Sequence, residues 1–248
     1  KERFSWYRFF STKESPKDRI QLILYKPETK NYNLVSVSLS FLINKNYLYT
    51  KFTISMHTTY SQNWNQYELM DAGNGKKLAR WGDIVTIRPD RNAYFPTVLS
   101  EKEWAIKTDF EFVEETTTSG QWIKRSDAPE EWQIRFGKAI LNLKLTNYKH
   151  IGIFPEQQTN WEFIQNKVQK DQRVLNLFGY TGASSIIAKI NQAEVIHCDS
   201  VKNVINWGKE NMEASGVEGI KWVLEDALKF AQREVKRGNK YRAVIMDP

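Results

Sequence analysis

The sequence predicts an α/β protein in which a β-rich segment precedes a C-terminal half with a parallel sheet. Residues 173–199 read as strand, glycine turn, helix (183–190) and strand, the pattern of a βαβ unit. Two further strand patterns follow, each separated from the previous one by a helical pattern. Residues 67–145 contain short alternating runs and many turn residues, with little helical periodicity.

The composition indicates a globular chain. It has 248 residues, 41% of them hydrophobic, and no apolar run approaches the roughly 20 residues of a membrane span. One cysteine and no recognisable signal peptide predict a reducing compartment, so we expect a cytoplasmic protein without membrane contact. Three scattered histidines and one cysteine do not match any zinc-ligand spacing, and we therefore expect no metal site.

The β-rich segment is predicted from turns and alternating runs. The predicted elements are a turn at 71–75, a strand at 84–87, a hairpin of 111–113 with 121–124, and a hairpin of 132–136 with 139–145. The polar stretch 67–82 is interpreted as a solvated loop, with a substrate-contact loop as the alternative.

The βαβ unit carries the features of a nucleotide site. Its first strand, 174–178, ends in a turn with Gly179 and Gly182, where a missing Cβ lets the backbone approach a ligand closely. Asp199 ends the second strand about 20 positions after Gly179, a spacing at which an acid accepts hydrogen bonds from a ribose diol. The turn has G-x-x-G instead of G-x-G-x-x-G. The missing glycine argues against NAD and for an adenosyl ligand without phosphates.

Three more acids are predicted at the same edge of the sheet. The predicted elements after Asp199 are a helix at 201–214, a strand at 221–224, a helix at 227–236 and a strand at 242–246. Glu225-Asp226 follows the first of these strands and Asp247 follows the second. Asp226 suits both a ligand contact and the N-cap of the next helix. Asn211 is expected on the surface of its helix.

These motifs resemble a known family. Asn-Leu-Phe-Gly-Tyr-Thr-Gly at 176–182, the acid of His-Cys-Asp-Ser at 197–200, Glu225-Asp226 and the final Met-Asp-Pro are similar to class I S-adenosylmethionine-dependent methyltransferases. Within that superfamily the chain most resembles the bacterial 23S rRNA methyltransferases that include the large-subunit cytosine-C5 enzymes. The resemblance covers the chain from about Tyr60 onward. It implies S-adenosylmethionine as cofactor and RNA, in particular ribosomal RNA, as substrate.

The resemblance also implies a domain organisation. Residues 149–248 would form a Rossmann-like class I methyltransferase domain that is truncated at its C-terminus. Residues 56–148 would form a β-rich accessory domain that helps to hold substrate, or else a structural cap. Residues 1–55 hold ten Lys and Arg against four Asp and Glu, most of the net charge of +7, so the overall charge is no evidence for RNA binding. We expect them to be an extension upstream of a native start at Met56; a genuine N-terminal module is the alternative.

Site residues follow from the same resemblance. The segment 150–161 resembles the family's Gly-x-Phe-x-Asp-Gln-Arg-x-Asn, with Glu156 and Gln158 in place of Asp and Arg. The expected cofactor-binding residues are Phe154, Gln157, Asn176, Phe178, Gly179, Tyr180, Thr181, Gly182, Asp199, Asp226 and Ala227. Asp226 is expected to accept a hydrogen bond from the adenine amine, with the Ala227 N–H facing the ring. Asp247 and Pro248 match the start of the family's Asp-Pro-Pro motif and are the expected catalytic residues.

The acceptor atom decides which further group is needed. An amino group needs a hydrogen-bond acceptor such as Asp247, whereas cytosine C5 needs a cysteine thiolate that attacks C6. Cys198 lies inside the second strand, and we expect it to be a packed core residue. A C5 nucleophile would then lie beyond Pro248. Two other classes stay open, an NAD-dependent oxidoreductase and a non-catalytic RNA-binding module with the same fold.

Overall fold

The structure is a computed structural model that describes residues 64–116 and 119–247 in full and, before them, the backbone of four strands. These strands are β1 (Phe9–Thr12), β2 (Arg19–Lys26), β3 (Asn33–Asn44) and β4 (Tyr47–Thr58). Two compact units make up the chain. One comprises Lys1–Ser61 with Glu156–Pro248, and the other Gln62–Pro155.

The unit of residues 62–155 is a small α+β structure. Its elements are β5 (Tyr67–Gly73), β6 (Lys76–Trp81), β7 (Ile84–Pro89), α1 (Glu101–Lys107), β8 (Phe110–Glu114), β9 (Gly120–Lys124), β10 (Glu131–Phe136) and β11 (Ala139–Lys144). β5 to β9 form one sheet in chain order, antiparallel except for the parallel pair β7 and β8. β10 and β11 form a separate hairpin. The strands predicted here are confirmed to within one or two residues.

Two features of this unit correct the sequence interpretation. The stretch 67–82 is the hairpin of β5 and β6, in which Leu78, Ala79 and Trp81 are buried. Helix α1 was missed because its seven residues are too few for a clear helical period. Ser100 caps it in a capping box with Glu103, a signal that is visible in the sequence.

Asp71 organises the loop that precedes α1. Its carboxylate accepts hydrogen bonds from the backbone N–H groups of Val98 and Leu99, at 3.1 and 2.8 Å, and from Trp104 Nε1 at 2.9 Å. Burial by itself would raise the pKa of Asp71, but these donors outweigh it and hold the pKa below its ordinary value. The charge therefore stabilises the loop and the buried Trp104.

The other unit contains the parallel sheet. After a 3-10 turn at Pro155–Gln157, its elements are α2 (Gln158–Lys167), β12 (Arg173–Leu177), α3 (Ala183–Ile190), β13 (Glu194–Asp199), α4 (Lys202–Ala214), β14 (Lys221–Leu224), α5 (Ala227–Lys236) and β15 (Ala243–Met246). The parallel strands lie in the order β14-β13-β12-β15. The predicted α/β fold is confirmed, and α3, β14 and α5 have the predicted bounds.

Helices cover both faces of this sheet. On one face Leu175, Leu177, Ile196 and Cys198 pack against Ala227 and Phe230 of α5. Helices α3 and α4 contact the same strands, and Ser185 of α3 reaches His197 of β13. Because β12, β13, β14 and β15 are parallel, the carboxyl ends of all four strands lie at one edge of the sheet.

The N-terminal strands continue the sheet. β1 pairs antiparallel with β15, with Phe9 opposite Val244, and β2, β3 and β4 follow in order. Strand pairing does not decide whether residues 1–55 belong to the native protein, so the start at Met56 stays a prediction. In the part of the chain that the structure describes, no helix has the length and apolar character needed to cross a membrane.

Candidate functional site

The turn after β12 has an unusual backbone. Phe178 and Tyr180 have φ of 55° and 50°, and Gly182 has φ of 85°. Residues with side chains rarely adopt this left-handed region, and such residues concentrate at functional sites. Hydrogen bonds close the turn, from Gly182 N–H to the Gly179 carbonyl at 3.0 Å and from Gly179 N–H to the Cys198 carbonyl at 3.1 Å. The turn is thus held in one conformation between β12 and β13.

Asp199 lies directly against this turn. Its Oδ2 accepts a hydrogen bond from Tyr180 N–H at 3.0 Å, and its Oδ1 accepts one from Val201 N–H at 2.9 Å. Since a carboxylate has about four acceptor positions, the two backbone donors leave capacity for two ligand hydroxyl groups. The glycine turn and the acid, which the sequence related only by spacing, are therefore in direct hydrogen-bond contact.

Asn211 supports the turn from behind. It is fully buried, and its Nδ2 donates to the Thr181 carbonyl at 2.9 Å. The expectation of a surface Asn211 was wrong because Ile205, Gly208 and Asn211 share the buried face of α4. Their spacing of three residues is the signal that identifies this face.

Asn176 has a structural contact. Its side chain is buried and donates from Nδ2 to Ser185 Oγ at 2.9 Å. This hydrogen bond connects β12 to α3. It uses the side-chain amide of Asn176, which the resemblance assigns to cofactor binding. Phe178, by contrast, is 40% exposed directly after the end of the strand.

The end of β14 lies beside Asp199. Glu225 N–H donates to the Asp199 carbonyl at 3.0 Å. Asp226 caps α5, since its Oδ1 accepts from Lys229 N–H at 2.9 Å, and the predicted N-cap is confirmed. Ala227 is buried behind it. The contacts of Asp226 and Ala227 to adenine stay predictions.

The remaining predicted residues divide between the two units. Leu177 pairs with Met246, so Asp247 follows β15 next to the turn and is exposed. Pro248 lies outside the described residues. Gln157 belongs to the unit with the parallel sheet, and its Oε1 accepts from Asn160 Nδ2 at 2.6 Å. Phe154 belongs to the other unit, with its ring 5.1 Å from that of His150.

Cys198 is a core residue, as expected. It packs against Ala227 and Phe230, and its Sγ lies 3.3 Å from the Glu225 carbonyl, to which it donates. Burial, together with the nearby carboxylates of Asp199 and Glu225, raises the pKa of the thiol to about 11. A protonated, buried thiol does not act as a nucleophile at neutral pH.

The unit of residues 62–155 has its own open cavity of about 480 Å³. Lys76, Glu111, Arg125 and Trp104 are among its lining residues. Glu111 forms ion pairs with both Lys76, at 2.9 Å, and Arg125. Because one carboxylate neutralises part of this charge, the cavity offers little net attraction for a phosphate.

Comparison with known proteins finds methyltransferases similar to this chain. The chain is 36% identical to a SAM-dependent methyltransferase from Agrobacterium tumefaciens of known structure, with a TM-score of 0.72 over 76% of this chain and 61% of that one. It is 29% identical over 130 residues to the ribosomal RNA large subunit methyltransferase K/L of Pseudoalteromonas atlantica, and 33% identical over 113 residues to that of Shewanella frigidimarina. These matches cover 52% and 44% of this chain. No family model matches the chain.

The fold and the sequence are similar to those of S-adenosylmethionine-dependent methyltransferases, the class that the motifs predicted. Among curated proteins it is similar to the ribosomal RNA large subunit methyltransferases K/L. The chain spans 18% and 15% of the length of the two curated relatives.

Proposed function

We propose that the chain uses S-adenosylmethionine to methylate a base of RNA, in particular of ribosomal RNA. The hydrogen bond from Tyr180 N–H to Asp199 carries this proposal, because it brings the glycine turn and the ribose-type acid together at the carboxyl edge of the sheet. The names of the relatives support the choice of ribosomal RNA. An RNA substrate of this kind also favours a cytoplasmic location.

The residues at the carboxyl edge of the sheet suit different parts of the cofactor. The two acceptor positions left on Asp199 match the two hydroxyl groups of a ribose. Asp226 and the Ala227 N–H are proposed to contact adenine at the end of β14. The exposed Phe178 ring offers an apolar surface beside the turn. Gln157 is proposed to complete the site, as the resemblance implies.

Bound S-adenosylmethionine would supply an electrophilic methyl group on a sulfonium. The protein then has to hold the acceptor base in line with that methyl group and keep water out. Asp247, directly after β15, is proposed to accept a hydrogen bond from an amino acceptor and to orient it. Cys198 does not serve a C5 mechanism, because it is buried with a raised pKa.

The proposal is tested by methyl incorporation. Purified protein is incubated with tritiated S-adenosylmethionine and either 23S or 16S rRNA, and labelled RNA is counted. Label in 23S rRNA supports the proposal, and its loss in an Asp247→Ala variant that still binds cofactor assigns the acceptor side. Cofactor binding without label in any RNA would favour the non-catalytic RNA-binding module.

Calorimetry separates the oxidoreductase alternative. We expect binding of S-adenosylmethionine and S-adenosylhomocysteine and no heat of binding with NAD. Since Asp199 suits any ribose, the discrimination depends on the G-x-x-G turn, which lacks the second glycine of a pyrophosphate site. Tighter binding of NAD than of S-adenosylhomocysteine would overturn the assignment.

A further inference from the structure

Three side chains form a row across the parallel sheet beneath the turn. The register pairs Asn176 of β12 with His197 of β13, and His197 with Trp222 of β14. His197 is fully buried, and its ring centroid lies 4.5 Å from that of Trp222 at an interplanar angle of 53°. A histidine in this interior row plays no part in the methyl transfer described above, so its presence needs a separate explanation.

The ring of His197 occupies the space where a side chain at position 179 would lie. The left-handed positions of the turn are taken by Phe178, Tyr180 and Gly182, whereas Gly179 does not have a positive φ. Its backbone conformation is therefore open to any residue. A Cβ at position 179 would lie 2.3 Å from Cε1 and 2.5 Å from Nδ1 of His197. Gly179 is thus required because the imidazole ring occupies the place of a side chain, which revises the ligand-approach reason taken from the sequence.

The ring is held in place by its own contacts. His197 Nδ1 lies 3.0 Å from Ser185 Oγ, which also accepts the hydrogen bond of Asn176 Nδ2. Burial lowers the pKa of His197 to about 3, so the ring is neutral and packs without a charge. Trp222 backs the ring on the other side.

The indole ring of Trp222 lies close to two further glycines, Gly208 of α4 and Gly182 of the turn. A Cβ at Gly208 would lie 2.7 Å from its indole ring, and one at Gly182 would lie 3.1 Å from it. The two rings, which are tilted against each other, therefore fill the space that three glycines leave open. The two rings thus connect strands β13 and β14 to Gly179 and Gly182 of the turn.

We propose that His197 is a positioning residue whose ring sets the path of residues 178–182 and so presents Tyr180 N–H to Asp199. His197 lies two residues before Asp199 on the same strand, so one strand places both the ring beneath the turn and the acid beside it. The turn is then preformed before the cofactor arrives. This inference rests on the proposed function for the identity of that cofactor.

A double-mutant cycle in the full chain tests the inference. Gly179→Ala, His197→Ala and the double variant are titrated with S-adenosylhomocysteine by calorimetry. We expect Gly179→Ala to raise Kd about tenfold or more, because the new Cβ displaces the turn, and His197→Ala to raise Kd by less. In the double variant the Cβ fits the vacated space, so Kd returns to within about twofold of His197→Ala alone.

Stoichiometry separates positioning from simple loss of fold. Misfolded protein lowers the number of binding sites per chain, whereas a displaced turn in folded protein raises Kd at unchanged stoichiometry. Gly238→Ala is the matched control. Gly238 has a positive φ of 68° and open space around it, so this change lowers the unfolding temperature and leaves Kd unchanged. Ser185→Ala frees the ring without removing it, and we expect a rise in Kd smaller than that of Gly179→Ala.

Two results would overturn the inference. One is an equal rise in Kd on Gly179→Ala with and without His197, and the other is an unchanged Kd for Gly179→Ala. Wild-type protein that binds no S-adenosylhomocysteine contradicts the proposed function instead. In that case the same cycle, followed by unfolding temperature, still decides whether ring and turn are coupled.

Discussion

Replacing Asp199 by Asn tests the centre of the proposed site. The change keeps the size of the side chain and one oxygen, and it removes the charge. Asp199 Oδ2 and Oδ1 accept the N–H groups of Tyr180 and Val201 at 3.0 and 2.9 Å. An amide NH₂ group in place of one oxygen would face one of these donors, so the variant loses an acceptor where the turn and the ribose both need one.

The magnitude follows from the hydrogen bonds that are lost. A hydrogen bond to a charged group is worth about 1.5–3 kcal/mol. The variant would lose one hydrogen bond to the ribose, and the second hydrogen bond would lose its charged acceptor. We expect the binding free energy to weaken by about 3 kcal/mol, which raises the Kd of S-adenosylhomocysteine about a hundredfold. The backbone donor that faces the amide also costs up to about 1–3 kcal/mol of unfolding free energy, so the unfolding temperature should fall while the number of binding sites per chain stays unchanged.

Calorimetry of wild type, Asp199→Asn and Asp171→Asn provides the measurement. Asp171 is an exposed acid two residues before β12, at the opposite end of that strand, and its φ of 61° suits Asn. The control should bind S-adenosylhomocysteine like the wild type. A ligand without the ribose hydroxyl groups should bind the wild type and Asp199→Asn with similar affinity. If Asp199→Asn binds S-adenosylhomocysteine as tightly as the control does, Asp199 does not contact the ribose and the reasoning fails.

Three further predictions concern stability and reactivity. Asp71→Asn should lower the free energy of unfolding by about 2 kcal/mol at pH 7. The pKa of Asp71 in the folded protein lies below the ordinary 3.8, so its stabilisation is complete above that pH and is lost as the pH falls through the folded pKa. Urea unfolding at a series of acid pH values should therefore show a loss of unfolding free energy in the wild type that is absent from the variant. Cys198, with a pKa of about 11, should resist iodoacetamide at pH 8 until urea unfolds the protein; rapid alkylation of native protein would contradict its burial. Asn211→Leu should leave the buried Thr181 carbonyl without its donor, cost about 1–3 kcal/mol in urea unfolding and weaken cofactor binding, whereas full retention of both would show that this contact does not support the turn.

Local patterns explain why much of the parallel unit was predictable. Helices α3 and α5 and strand β14 have the predicted bounds, because periodicity and capping are properties of neighbouring residues. The approach of Asp199 to the glycine turn was also predictable. Parallel strands in register end at one edge, so a spacing in the sequence becomes a proximity in space.

The accessory unit was less predictable, because its signals are short or ambiguous. Polar residues on the exposed face of β5 and β6 resemble a loop when the pairing of the strands is unknown. Helix α1 has seven residues, and its clearest sign was the capping box of Ser100 and Glu103. The approach of Asp71 to Trp104 spans 33 positions and depends on the folded chain.

The sequence alone determined the α/β class, the glycine turn and the acid that closes the neighbouring strand, since each depends on residues close together in the chain. Only the tertiary structure decided why Gly179 has to be a glycine and why Asn211 is buried. The fit of the His197 ring against Gly179 arises from the register of β12 and β13 and the packing of α3. Contacts of this kind are set by the path of the whole chain, which no local pattern records.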